Sequence, residues 1–169
     1  MKNMSEKIKN NETKQENALL SRQRVQSSDD EHQLEFVDEV NGIAYVNDAR
    51  SIRLTATRNS LEKIETSVVL IAGGEDSGND YSMLSQQVKQ KVVAIIYLGN
   101  YSDEILKNYS SHYMLFTKAA SIREAVVLAS CYAKSGDAVL FSPACENSVD
   151  NFKARGNEFK LCVYSLKGK

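Results

Sequence analysis

Apolar residues along this chain gather in short unbroken runs. "SVVLIAG" (67–73), "VVAIIYLG" (92–99) and "DAVLFSP" (137–143) have the continuous apolar character of parallel strands covered on both faces, and "YMLFT" (113–117) is a weaker run of the same kind. Between them lie helical stretches around "YSMLSQQVKQK", "SDEILKNY" and "SIREAVVLASCYAKSG". Ser102 with Asp103 and Glu104, and Ser121 with Glu124 three residues on, mark helix starts, the second as a capping box. Gly136 is placed to close the last of these helices as a C′ glycine. Upstream, "HQLEFVDEV" and "GIAYVND" alternate on either side of Asn41-Gly42, which predicts a hairpin with a type I′ turn. "SIRLTATRNSLEKI" predicts a helix to about Ile64. The pattern specifies an α/β fold: a Rossmann-like, doubly wound, mainly parallel sheet with an N-terminal β-hairpin. Its strand carboxyl ends, near Gly73-Gly74, Gly99-Asn100 and Ser142-Pro143, line one edge, where such sheets bind ligands.

Residues 1–31 are of a different texture, rich in Asn, Gln, Ser, Glu and Lys and without an aromatic residue. Too few apolar groups are present to offset the entropy of ordering. The expectation is a polar N-terminal tail over 1–31, disordered or helical, followed by one domain over 32–169. A solvated or frayed segment is favoured over a weak amphipathic helix in which Ile8, Leu19, Leu20 and Val25 lie on a partner.

Charge narrows the range of partners. Lys+Arg number 21 and Asp+Glu 22, a net charge of −1, so no overall field attracts nucleic acid or an anionic bilayer. The apolar runs are far shorter than the ~20 residues of a spanning helix, and "MKNMSEKIKNNETKQENALL" lacks the apolar centre of a secretory signal. A soluble cytoplasmic protein is expected, with no nucleic-acid or membrane partner. Cys131, Cys145 and Cys162 form no CxxC pair and are read as reduced thiols.

Candidate chemistry is sparse. The 169 residues contain neither GxxxxGK(S/T) nor GxGxxG, so neither phosphate-binding fingerprint is available, and no cofactor is expected for this chain alone. His32 and His112 stand apart in the sequence, and no metal site is expected. Cys145 is either a small residue packed at a strand-to-helix turn or a thiol activated by a helix N-terminus. Gly73-Gly74 opens a loop carrying Glu75, Asp76, Ser77 and Asp80 but no lysine or arginine. It is either a tight turn needing positive φ or a ligand loop without a cation. Pro143 stops its strand, and Asn147 or Ser148 is placed to cap the next helix. Asp48-Ala49-Arg50 reads as a loop ion pair.

Taken in order, these turns resemble the C-terminal domain of the Mur peptide ligases, most closely their D-glutamate-adding branch. "HQLEFVDEVNGIAYVNDARS" is similar to a family segment that begins HR and ends NDSKATN. "LIAGGEDSGNDY" is similar to a GG-x-DKG loop, and "VLFSPACENSVDNFKARGNEF" to a motif running from LLSPACAS to RGxxF. The resemblance covers about residues 32–165. It implies a domain that presents the incoming amino acid and helps to cover a nucleotide held elsewhere, on a central ATPase domain with its phosphate loop and magnesium.

Carried over by position, the resemblance implies a degenerate ligand pocket at Asn47, Asp48, Arg50, Gly73, Gly74, Ser77, Ser142, Asn147 and Phe152, with no catalytic residue. The family's lysine in DKG falls at Ser77, which removes the cation suited to a substrate carboxylate. The lysine of NDSKATN falls at Arg50, its threonine at Ile52 and its last asparagine at Arg53. Ser142, Pro143, Ala144 and Cys145 match, Asn147 replaces a serine, Phe152 matches an aromatic, and Arg155-Gly156 matches the family's RG. The implied function is a stand-alone, non-catalytic homologue acting as an interaction or regulatory module, linked to peptidoglycan precursor synthesis. A protein partner would use the N-terminal tail or the strand-end face, and an amino acid could be a ligand. One alternative is the C-terminal part of a split D-glutamate-adding ligase, using ATP and magnesium only when an ATPase-domain partner completes it. Another is a small-molecule binding module with Arg50 and Arg53 as its cations.

Overall fold

The computed structural model describes residues 2–73, 80–100, 107, 115–145 and 151–168. Six strands form one sheet: β1 (Glu35–Val40), β2 (Ile43–Asn47), β3 (Val68–Gly73), β4 (Val92–Leu98), β5 (Leu115–Ala119) and β6 (Ala138–Phe141), in the order β1-β2-β6-β3-β4-β5. Among the described strands only the β1–β2 pair is antiparallel. Among the described residues the helices are α1 (Lys2–Val25), α2 (Leu54–Lys63), α3 (Ser85–Lys91, after a 3-10 turn at Tyr81–Leu84), α4 (Ile122–Tyr132) and α5 (Phe152–Ser165). The doubly wound, mainly parallel sheet is therefore the one the apolar pattern specifies.

Each continuous run serves two cores. Within β3, Val68, Leu70 and Ala72 join Leu61, Ile64 and Val88 on one face, while Val69 and Ile71 join Ala125, Val126, Phe159 and Val163 on the other. Successive side chains point to opposite faces of a strand, so a two-sided core requires an apolar residue at every position. The hairpin turn has positive φ at both Asn41 (54°) and Gly42 (77°), as a type I′ turn demands. Ser121 accepts the Glu124 amide at 3.2 Å, and the Glu124 carboxylate reaches back to the Ala120 amide at 2.7 Å.

Other expectations are sharpened or corrected. The N-terminal tail, expected as disordered or helical, is helical from Lys2 to Val25, a segment that lacks both Gly and Pro. Its last turn is docked, with Val25 1 % exposed and the Arg24 carbonyl accepting the Glu65 amide, whereas Leu19 and Leu20 stay exposed. Gly136 does not cap α4: that helix ends at Tyr132 with an extended Ala133 as C-cap. The Gly136 amide, at φ 98°, instead donates to the Gly42 carbonyl at 2.8 Å, fastening the hairpin turn to the loop before β6. The strand expected at 113–117 is described from Leu115 to Ala119, and the expected helix at "SDEILKNY" lies outside the described residues apart from Lys107.

The chain runs outward from β3 through β4 to β5 and then returns to place β6 on the other side of β3. Crevices at the carboxyl ends of strands form where winding reverses in this way. Here that point lies between Gly73 and Ser142. Because β2 runs parallel to β6, with Asn47 opposite Phe141, the turn that begins at Asp48 opens on the same edge.

Candidate functional site

The strand-end edge is built from three segments: the turn after β2 (Asn47–Arg53), Gly73 at the end of β3, and Ser142–Cys145 after β6. Backbone bonds tie them together. Gly73 N–H donates to the Pro143 carbonyl at 2.9 Å, Asp48 N–H to Phe141 at 2.9 Å, and Ala144 N–H to Ser51 at 3.0 Å. Ala144 is held at φ 55°, a left-handed conformation that non-glycine residues adopt rarely. Gly73 (φ 110°) is required by the backbone itself, since a Cβ there would lie 2.5 Å from the Leu98 carbonyl oxygen.

Asn47 and Asp48 are both fully buried, and their polar atoms are engaged within the domain. The Asn47 amide nitrogen lies 2.8 Å from His32 Nδ1 and 2.9 Å from Glu35 Oε2, and its oxygen accepts the Ala49 amide at 3.3 Å. Asp48 accepts from Leu34 N–H at 3.0 Å and from Ser142 Oγ at 2.9 Å. Ser142 has one hydroxyl proton and gives it to Asp48, so Thr57 Oγ1, 2.7 Å away, donates to Ser142. Burial pushes the Asp48 carboxyl above the usual carboxylate range, against hydroxyl and amide donors from Ser60, Ser51, Leu34 and Ser142 that favour the ionised form.

The cations lie elsewhere. Arg50 is exposed, with its backbone N–H on the His32 carbonyl and its guanidinium 3.5 Å from Gln33. Arg53 is exposed at the N-cap of α2, and Ile52 is half-buried between them. Arg155 is the cation nearest the switch point. From α5 it donates to the Gly73 carbonyl at 3.0 Å and lies 5.6 Å over the Phe141 ring. Cys145 is 1 % exposed, and Phe152 packs edge-on against His32 at 5.9 Å.

Of the residues singled out in the sequence, the structure brings Asn47, Asp48, Gly73 and Ser142 to one edge, with Arg50 at its exposed margin. Phe152 sits behind, against His32. Gly74, Ser77 and Asn147 lie outside the described residues. His32, read as standing apart, in fact meets Asn47, Glu31 and Glu35. Sequence reasoning passed over Glu35 and Thr57 and gave His32 and Arg155 no partners, since the partners of these residues lie 12 to 85 residues away in the chain. The retained RG was the available signal, for Gly156 leaves the space His32 fills. No helix among the described residues is long and apolar enough to cross a membrane.

No protein-family profile matches the chain. It is 42 % identical over 139 residues to the UDP-N-acetylmuramoylalanine–D-glutamate ligase of Pelodictyon phaeoclathratiforme, a match covering 80 % of this chain and 30 % of that protein. Against the enzyme of the same name from Cytophaga hutchinsonii the identity is 38 %, covering 81 % of this chain and 31 % of that one. The chain thus spans about 30 % of the length of these relatives. Among solved structures, the MurF ligase of Thermotoga maritima in complex with ADP superimposes with a TM-score of 0.56 at 13 % identity, over 82 % of this chain and 32 % of that one. The UDP-N-acetylmuramate–alanine ligase MurC of Thermotoga maritima gives 0.52 at 14 %, over 79 % and 30 %. Identities this low speak for the fold alone, and the D-glutamate ligases supply the sequence kinship. The chain is a relative of the Mur ligases that corresponds to about 30 % of their length and carries the fold of their C-terminal domain.

Proposed function

We propose that this domain is a non-catalytic relative of the amino-acid-presenting domain of the Mur ligases, acting as an interaction or regulatory module in peptidoglycan precursor synthesis. The observation that carries the reading is the inward commitment of the retained motif residues. Asn47, Asp48 and Ser142 have their polar atoms bonded to His32, Glu35, Leu34, Ala49 and Thr57, so the fold alone accounts for their presence. Where the family resemblance implies a lysine, a threonine and an asparagine, this chain has Ser77, Ile52 and Arg53, so the loop cation and one hydroxyl are gone. Loss of a charge-assisted bond to a carboxylate weakens binding by roughly 1.5–3 kcal/mol, which for a small amino acid removes most of the affinity. The exposed Arg50 and Arg53 support a reading in which the strand-end face is offered to a protein partner, with α1 as a second surface.

Calorimetric titration of the chain with D-glutamate, with ATP–magnesium and with UDP-N-acetylmuramoyl-L-alanine tests this, repeated on Ser77→Lys. The expected result is no heat or melting shift with the unaltered chain and recovered D-glutamate binding in Ser77→Lys. Saturable D-glutamate binding by the unaltered chain, raising its melting temperature by mass action, would overturn the reading in favour of a split ligase completed in trans.

A further inference from the structure

His32 is 2 % exposed, and its surroundings define its protonation chemically. Glu35 can only accept, so the Asn47 amide turns its nitrogen, not its oxygen, toward Glu35 Oε2 at 2.9 Å. The second hydrogen of that nitrogen points at His32 Nδ1, 2.8 Å away. Nδ1 must accept it, which leaves the proton of a neutral ring on Nε2. Nε2 lies 3.7 Å from Glu31.

The ring has no room to retreat. Phe152 stands edge-on to it, and a Cβ on Gly156 would lie 2.2 Å from Nδ1. The backbone is equally committed: His32 has φ 64°, its amide donates to Glu35 Oε2, and its carbonyl accepts the Arg50 amide at 3.0 Å. One residue therefore joins β1, the turn after β2 and α5.

We propose that His32 is a proton-operated latch on the Asp48–Arg50 turn. Neutral, it accepts from Asn47 and holds that turn against α5. When a solvent proton adds to the Nδ1 lone pair, the Asn47 N–H has no acceptor there. Among the described residues the new Nδ1–H has one carboxylate within reach, Glu35 Oε2 at 3.8 Å, and a small rotation makes an ion pair that displaces the Asn47 amide. Lys160 stays on the other oxygen, Glu35 Oε1 at 3.3 Å, and on Glu31 at 2.6 Å. Asn47 reorients, and its oxygen leaves the Ala49 amide. The proton thus changes which partners the Ala49 and Arg50 backbone has at the exposed margin of the strand-end edge.

The charged groups around the ring oppose one another. Glu31 from its own loop and Glu35 from β1 favour the imidazolium, while Lys160 and Lys153 from α5 disfavour it. Burial, followed by Lys160, leads, and the group is pushed below its ordinary value. With the native pKa depressed, the unfolded chain binds the proton first. The latch's contribution to stability is complete above about pH 6.5 and is lost as pH falls from there through the native pKa.

The test is an NMR titration of the full-length ¹⁵N- and ¹³C-labelled chain from about pH 8 to about pH 5. Expected are a neutral His32 with its proton on Nε2, a midpoint below about 6.5, and Ala49 and Arg50 amide shifts that follow the same midpoint. In Glu35→Gln the imidazolium loses its charged acceptor and the midpoint falls further. In His32→Gln the Ala49 and Arg50 response is lost. A proton on Nδ1 of the neutral ring, a midpoint at or above the ordinary value, Ala49 and Arg50 amides blind to it, or an unchanged response in His32→Gln would each overturn the proposal. Should His32→Gln not fold, the ring tautomer and the Glu35→Gln midpoint decide the matter.

Discussion

At the scale of single residues, the buried polar positions decide how the strand-end edge is held. Gly156 is tightly constrained: a methyl group there meets His32 Nδ1 at 2.2 Å, with Asn47 Nδ2 at 3.0 Å. Gly156→Ala must displace the ring or α5, and overpacking of this kind costs about 1–3 kcal/mol. Urea unfolding should show that loss, while Ala at the exposed neighbour Asn157 should show almost none. Asp48 makes a prediction of the opposite pH sense to His32. Its native pKa is raised, so the folded state binds a proton more readily than the unfolded one. Its contribution is greatest below the unfolded carboxylate value of about 3.9 and is lost as pH rises through the native pKa. Asp48→Asn sets an NH₂ among hydroxyl and amide donors and should cost about 1–3 kcal/mol at neutral pH. The gap from the unaltered chain should widen as pH is lowered in urea titrations. A gap that narrows toward acid would mean that Asp48 is held ionised in the native state.

Elements carry their own fastenings. The carboxyl end of α2 has no glycine cap. Its C-cap Ile64 is extended, and the orphan carbonyls are met from another helix, since Lys91 at the end of α3 donates its ammonium to Leu61 at 2.9 Å and Glu62 at 3.2 Å, and also to Ile64. A cation at a helix carboxyl end satisfies both the dipole and the carbonyls. Lys91→Met keeps the aliphatic stem and should lower stability by about 1–2 kcal/mol, with faster amide exchange in the last turn of α2 as the local readout. No change in that turn would show that water replaces the ammonium at no cost. At α4, Ser121→Ala removes the acceptor of the Glu124 amide and should cost about 1 kcal/mol by thermal unfolding.

For the molecule as a whole, the sheet and its two cores form the stable unit, and α1 is attached to it at one end. Val25 is buried, while Leu19 and Leu20 are 57 % and 49 % exposed. Removing residues 2–18 should therefore leave thermal stability nearly unchanged, whereas Val25→Ala, which opens a hole beside Leu34 and Ile64, should cost about 1–3 kcal/mol. A large loss on truncation would mean that the exposed turns of α1 contribute to the core's stability through contacts beyond Val25.

What could be read without the structure was whatever depends on neighbours in sequence. The runs at 68–73 and 92–98 announce strands apolar on both faces, Asn41-Gly42 announces its turn, and Ser121 with Glu124 announces a cap, because each physical cause lies within a few residues of its effect. The retained motifs also identified the strand-end edge and its relatives. The place of β6 between β2 and β3, the pairing of Asp48 with Ser142 across 94 residues, and the meeting of His32 with Asn47 under Gly156 left no local trace. Neither did the carbonyl cage around Lys91. Partners distant in the chain are chosen by which faces pack together, so burial, and with it the protonation of His32 and Asp48, follows only once the sheet has closed its two cores.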